Sequence, residues 1–225
     1  MSDQFDAMYY VPSYRAWFFR QDLRAAYEYH RHFLQHLQVR RNALRWVLKA
    51  PTHMFALPTL LAVYPDAIFV QTHRAPLDAM ASVSSLITIL RRVFSDAVDP
   101  QTVCREAIDY WSKTLERFLQ QRSRLAEHRI CDITYAEIRR DPLVAVRRIY
   151  AHFGWSLSQK VEQLMRRALA SQPEERYKLH RYDLSQFEVQ EAESAARFAA
   201  YCDRFGLAMG RKRTSGTRAE KLVKS

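Results

Sequence analysis

Glycine is scarce: four in 225 residues, at Gly154, Gly206, Gly210 and Gly216. Loops that cradle a phosphate with backbone N–H groups need glycines at fixed spacings. Neither a G-x-x-x-x-G-K-S/T loop nor a G-x-G-x-x-G loop is present. Cysteine is nearly as rare. Cys104, Cys131 and Cys202 are odd in number, far apart and without a C-x-x-C pair. That excludes a disulfide framework and a cysteine zinc site, and points to reduced thiols of a cytoplasmic protein. Long apolar runs are missing too. The longest apolar-leaning stretch, residues 79–90, is interrupted by serines and a threonine and is too short to span a bilayer. The first residues are acidic and aromatic, so no secretory signal is expected. There is no internal repeat and no low-complexity tract.

What is present describes a globular chain. Hydrophobic residues make up 48% and aromatics 12%, and 225 residues suffice for one core and one domain. The net charge is +11 and uneven: residues 210–225 hold six lysines and arginines against Glu220. This stretch is polar and aperiodic, so residues 1–209 are expected to form the domain and 210–225 a disordered, solvated tail. Contact of the tail with nucleic acid or anionic lipid is the competing expectation. The remaining positive charge suits an anionic nucleotide, although many basic proteins bind none.

Residues 67–86 are the most informative. Ile68, Phe69 and Val70 read as a short buried strand covered on both faces. Arg74 stands at its end, and Pro76 opens a helix where a missing N–H is harmless. Asp78 complements the first turn. Met80, Val83, Ile87 and Leu90 share one helical stripe. Ser82, eight residues after Arg74, falls off it. A fork-shaped cation at a strand tip, a hydroxyl along the helix and free N–H groups together suit a phosphate. By itself the segment slightly favours a simpler outcome: an arginine paired with a carboxylate and a solvated serine.

Residues 45–60 change that balance. Trp46, Val47 and Leu48 read as a second buried strand, Lys49 ends it and Pro51 breaks it. His53 precedes a helix over residues 55–63. Two parallel strand tips would then present Lys49, His53 and Arg74 on one sheet edge, where ligands of open α/β sheets bind. A histidine there can serve as a general base. A cap or a loop hydrogen bond is the alternative for His53.

These residues resemble a known family, the sulfotransferases that use 3′-phosphoadenosine 5′-phosphosulfate, in their bacterial branch. The matching residues are Trp46-Val47-Leu48-Lys49, Pro51 and His53, then Phe69-Val70, His73-Arg74, Pro76 and Ser82. Residues 133–138 with Arg140-Asp141-Pro142 are similar to a later strand-to-helix segment. His180-Arg181-Tyr182 with Phe187 are similar to the closing segment. Tyr14, Trp17, Asp22, Tyr27, His30 and Leu34 resemble the segment before the lysine–proline–histidine strand. The resemblance covers about residues 9–207. It implies an α/β fold, a parallel sheet flanked by helices of the P-loop-NTPase-like sulfotransferase type. It implies transfer of a sulfuryl group from the nucleotide donor to a hydroxyl or amine of a small acceptor. His53 would be the base, Arg74 and Ser82 the holders of the 3′-phosphate, and Tyr135 a wall of the nucleotide pocket. Lys49 would stabilise sulfuryl oxygens, weakly supported because it lies four residues from His53. No metal is implied.

The departures matter as well. The family's Gly/Ser/Thr-rich phosphosulfate loop and its strand have no counterpart, so the chain reads as an N-terminally truncated member or one that lost the loop. Ala75 stands where an acidic residue is common. Three strands are expected, with a gap that self-association or a partner chain would fill. A non-catalytic remnant that binds the nucleotide or a partner is therefore one alternative function. A basic nucleic-acid-binding protein is another, but no recognition motif is present and aromatics are not interleaved with basic residues on strands.

Elsewhere the pattern predicts helices over residues 22–37, 102–124, 142–153, 159–170 and 190–205, and a strand over 130–134. Asp141 and Ser158 are predicted caps, Pro142 opens a helix and Gly206 ends one. His30, His32 and His36 cluster in sequence, but they lack an H-E-x-x-H pattern and read as a wet surface.

Overall fold

The computed structural model describes residues 4–40, 45–171 and 184–209. Its elements in chain order are α1 (Gln4–Met8), α2 (Pro12–Phe18), α3 (Arg24–Gln38), a 3-10 turn (Pro51–Phe55), α4 (Leu57–Val63), β1 (Phe69–His73), α5 (Pro76–Arg92), α6 (Pro100–Arg122), a 3-10 turn (Glu127–Arg129), β2 (Ile130–Thr134), α7 (Tyr135–Arg140), α8 (Pro142–His152), α9 (Gln159–Ala170), a 3-10 turn (Leu184–Phe187), α10 (Glu191–Ala196) and α11 (Ala199–Phe205).

β1 and β2 pair in parallel, Phe69 opposite Ile130 through His73 opposite Thr134. On one face Phe69 and Ile130 join the main core, built with Leu77, Met80, Cys104, Ala107, Ile108, Phe118 and Tyr201 from α5, α6 and α11. On the other face Cys131 and Ile133 pack against Ala145 and Ile149 of α8. A third cluster joins Phe18, Leu23 and Tyr27 to Phe55, Leu60 and Val63, seating α2 and α3 on α4. Arg15 bonds Asp6 at 2.8 Å and Glu106 at 3.2 Å, and Arg91 bonds Glu106 at 3.0 Å. This ionic group fastens the first helices to α5 and α6.

Local signals decide most element ends. Asp99 accepts from the N–H groups of Gln101 and Thr102, with Pro100 opening α6. Asp141 caps α8 in the same way ahead of Pro142. Ser158 caps α9. Gly206, with φ of 61°, closes α11 in the left-handed region that favours glycine. All three cysteines are free and buried.

Three expectations are corrected. Residues 46–48 form no strand: the stretch 45–50 has no regular secondary structure, and Val47 is 96% exposed. Among the described residues the sheet has two strands, and this apolar run pairs with neither. β1 is not covered on both faces. Val70 and Thr72 are exposed although their partners Cys131 and Ile133 are buried, because α8 covers that face only at β2. The last helix is two, α10 and α11, separated at Arg197-Phe198, where Phe198 leaves helical geometry with its side chain buried. In α3, Tyr27 and Leu34 are buried while Phe33 and Leu37 stay exposed. His180-Arg181-Tyr182 and the tail 210–225 lie outside the described residues. Among those described, no helix is long and apolar enough to cross a membrane.

Candidate functional site

The register of the sheet sets the site. His73 lies opposite Thr134, so the next residues along the two strands, Arg74 and Tyr135, emerge side by side at the carboxyl tips. The Arg74 guanidinium lies over the Tyr135 ring, 5.1 Å from its centroid. Such a contact contributes about 0.5–1 kcal/mol at an exposed site and orients the fork. Among the described residues no carboxylate pairs with Arg74, so a simple strand-end ion pair is not what this arginine forms.

Tyr135 is itself held. Thr134 and Glu137 form a capping box at the start of α7: the Glu137 N–H donates to Thr134 Oγ1 at 3.2 Å, and the Thr134 N–H donates to Glu137 Oε2 at 2.7 Å. Hydrogen bonds from the Thr134 N–H and hydroxyl, with Arg148 nearby, hold the Glu137 carboxyl below the usual range. Tyr135 is the first residue of that capped helix, so its ring faces Arg74 from a fixed base.

From Arg74 the chain passes Ala75 into α5, with Pro76 in the first turn. Ser82 is half-buried on α5, beside the core-facing Met80, Ala81 and Ser84. It shares the strand–helix unit with Arg74. Among the described residues no hydrogen bond joins the two.

His53 sits in the 3-10 turn Pro51–Phe55. The same turn abuts β1, for Gln71 Nε2 lies 3.2 Å from Met54 Sδ. His53 thus stands in a turn that touches the strand preceding Arg74. Its Nδ1 is 2.9 Å from the Tyr27 hydroxyl of α3. Burial pushes the Tyr27 phenol up to about 12, with the Tyr64 phenol adding to the shift, so the hydroxyl stays protonated and can donate or accept. When Nδ1–H donates to the Tyr27 oxygen, Nε2 is the nitrogen without a proton. Tyr27 is the group that reading the sequence missed: it lies 26 residues from His53, and its place on a buried helix face signals only core. Lys49 is exposed on the unladdered stretch before the turn.

The structure therefore joins Arg74 to Tyr135 directly and places the His53 turn against the same strand. It leaves Lys49 and Ser82 without a direct contact to that pair. A planar cation beside an aromatic face suits a phosphorylated nucleoside, and an oriented imidazole suits proton transfer.

A family model described as "Sulfotransferase family" matches residues 1–159. The omega-hydroxy-beta-dihydromenaquinone-9 sulfotransferase Stf3 of Mycobacterium bovis is 28% identical over 159 residues, 68% of this chain and 39% of that protein. Among solved structures, sulfotransferase STF1 from Mycobacterium tuberculosis superposes with a TM-score of 0.77 at 36% identity, over 88% of this chain and 51% of that one. Sulfotransferase STF9 from Mycobacterium avium superposes with a TM-score of 0.84 at 30% identity, over 92% and 54%. The chain thus spans roughly two fifths to a half of the length of the proteins it matches.

Proposed function

The chain belongs to the sulfotransferase family, and on that premise we propose that it serves transfer of a sulfuryl group from 3′-phosphoadenosine 5′-phosphosulfate to a hydroxyl or amine of a small acceptor. The observation that carries this is the Arg74–Tyr135 pair at the two strand tips, a guanidinium over an aromatic ring with no carboxylate paired to it among the described residues. Arg74 takes the donor's 3′-phosphate by its fork, with Ser82 supplying a hydroxyl from α5. Tyr135 lines the nucleotide pocket.

His53 Nε2 takes the acceptor's proton while the acceptor atom bonds to sulfur. The bond from sulfur to the bridging phosphate oxygen breaks in line, and adenosine 3′,5′-bisphosphate leaves. Tyr27 holds the ring in the tautomer that leaves Nε2 unprotonated. Lys49 balances charge on the sulfuryl oxygens. The menaquinone-derived alcohol named for Stf3 is one acceptor of the hydroxyl class. Calorimetry with adenosine 3′,5′-bisphosphate tests the assignment. Arg74→Ala is expected to weaken binding by about 30-fold, the scale of a charge-assisted bond of about 2 kcal/mol. Unchanged affinity removes Arg74 from the site.

A second reading is favoured by the open edge of β1. A two-stranded parallel sheet whose Val70 is 45% exposed is incomplete by the usual standard of parallel sheets, which are covered on both faces. In this reading a strand from a partner chain or a second copy completes the sheet. A sedimentation profile that stays monomeric across the accessible concentration range, with no added chain bound, opposes it.

A further inference from the structure

Directly behind Arg74 lies a buried polar cluster that the proposed chemistry leaves without a role. His73, the last residue of β1, is 1% exposed. Its Nε2 is 2.8 Å from Asp132 Oδ1 on β2, and its Nδ1 is 2.7 Å from the Tyr201 hydroxyl on α11. The ring stacks on Phe205, with centroids 3.9 Å apart. Arg122, at the end of α6 and almost fully buried, donates to Asp132 Oδ2 at 2.5 Å. One imidazole thus joins both strands to α11, and through Asp132 to α6.

The proton positions follow from the partners. Burial acts to raise the Asp132 carboxyl, but the His73 hydrogen bond and the Arg122 charge outweigh it and hold the group below its ordinary range. Asp132 is therefore a carboxylate, an acceptor only, and Nε2 carries the hydrogen directed at it. Burial raises the Tyr201 phenol, so its O–H is intact, 2.7 Å from His73 Nδ1.

An apolar side chain at this point would fill the volume as well, because buried ionic clusters give little net stability over hydrophobic ones. What the cluster adds is direction. Arg74 follows His73 immediately, and Tyr135 follows Asp132 by three residues. We propose that His73, together with Asp132 and Tyr201, is a positioning residue for the anion site. The cluster holds the two strand tips in the register that sets the Arg74 fork over Tyr135, and it makes nucleotide affinity depend on the docking of α11. This rests on Arg74 being the phosphate ligand.

The test is a set of titrations with adenosine 3′,5′-bisphosphate, extended to millimolar ligand, on the full chain. Tyr201→Phe, which removes a single oxygen, and His73→Leu are each expected to weaken binding about five-fold when Arg74 is present. In an Arg74→Ala background the same substitutions are expected to change affinity by less than about two-fold, because the group they position is gone. His73→Gln, which can keep an N–H directed at Asp132, is expected to recover part of the loss. Equal effects in both backgrounds, or no effect of Tyr201→Phe with Arg74 present, overturn the proposal. If Arg74→Ala alone leaves affinity unchanged, the phosphate-site reading fails first and this one with it. Should His73→Leu not fold, Tyr201→Phe decides.

Discussion

His53 and Tyr27 show how much one hydrogen bond decides at the residue scale. An imidazole is useful as a base only through the nitrogen that lacks a proton. The 2.9 Å contact to the Tyr27 hydroxyl favours the neutral tautomer with its proton on Nδ1. Two expected outcomes separate the roles. His53→Ala lowers turnover by about a hundred-fold or more, the scale of a lost general base, while adenosine 3′,5′-bisphosphate binds nearly as before. Tyr27→Phe keeps the ring and the packing but lowers kcat by about ten-fold, with little change in nucleotide affinity. Steady-state rates with labelled donor, paired with calorimetry, check both. Wild-type turnover in His53→Ala removes it from the mechanism. The Tyr27 partnership could not be found in the sequence, because a buried tyrosine at helical spacing reads as core. The motif residues Arg74 and Tyr135 were legible, since each follows a strand directly. Their mutual contact was not, since only pairing of the two strands brings them together.

The second scale is the element, where termini are set by local chemistry. Asp99 before Pro100 and Asp141 before Pro142 each satisfy the first N–H groups of a helix. This is why β2, α8 and α9 fall where capping and β-branched runs place them. The stretch 46–48 failed as a predicted strand for the opposite reason. Its apolar, β-prone residues state a preference, but a strand exists only with a neighbour to bond. The joint between α8 and α9 carries a pH dependence. Hydrogen bonds from Arg147 and Arg166 pull the Glu162 carboxyl down to about 2. A depressed carboxyl contributes above the ordinary glutamate value of about 4.3 and loses its contribution as pH falls from there toward 2. Hydrogen exchange is therefore expected to show protection of α9 falling across that acidic window. In Glu162→Gln the protection should already be reduced at neutral pH and flat below it. A wild-type profile without that acid step contradicts the joint.

For the whole molecule, the feature to explain is an open sheet. Residues 45–50 and the outer face of β1 leave Trp46, Val47, Leu48, Ile68 and Val70 exposed, an arrangement that invites another strand. Val70→Lys is expected to reduce self-association without disturbing the anion site on the opposite end of the ladder's pairing. Sedimentation at matched concentrations checks it, and an unchanged mass distribution counts against the open edge. Fixed donors aimed at developing charge usually supply the largest catalytic contribution. The sequence holds no G-x-x-x-x-G-K-S/T pattern, so turnover by these 225 residues with labelled donor is expected to be low. Robust turnover without added protein would show that the loop is dispensable.

The central claim is that Arg74, set over Tyr135 at the paired strand tips, recognises a 3′-phosphate. The most direct measurement is the ratio of affinities for adenosine 3′,5′-bisphosphate and adenosine 5′-monophosphate, in the wild type and in Arg74→Ala. The account predicts a wild-type preference of about 30-fold for the bisphosphate, corresponding to about 2 kcal/mol for the charge-assisted contact, and a ratio near one in the variant. Equal wild-type affinity for the two nucleotides, or a preference that survives Arg74→Ala, would contradict it.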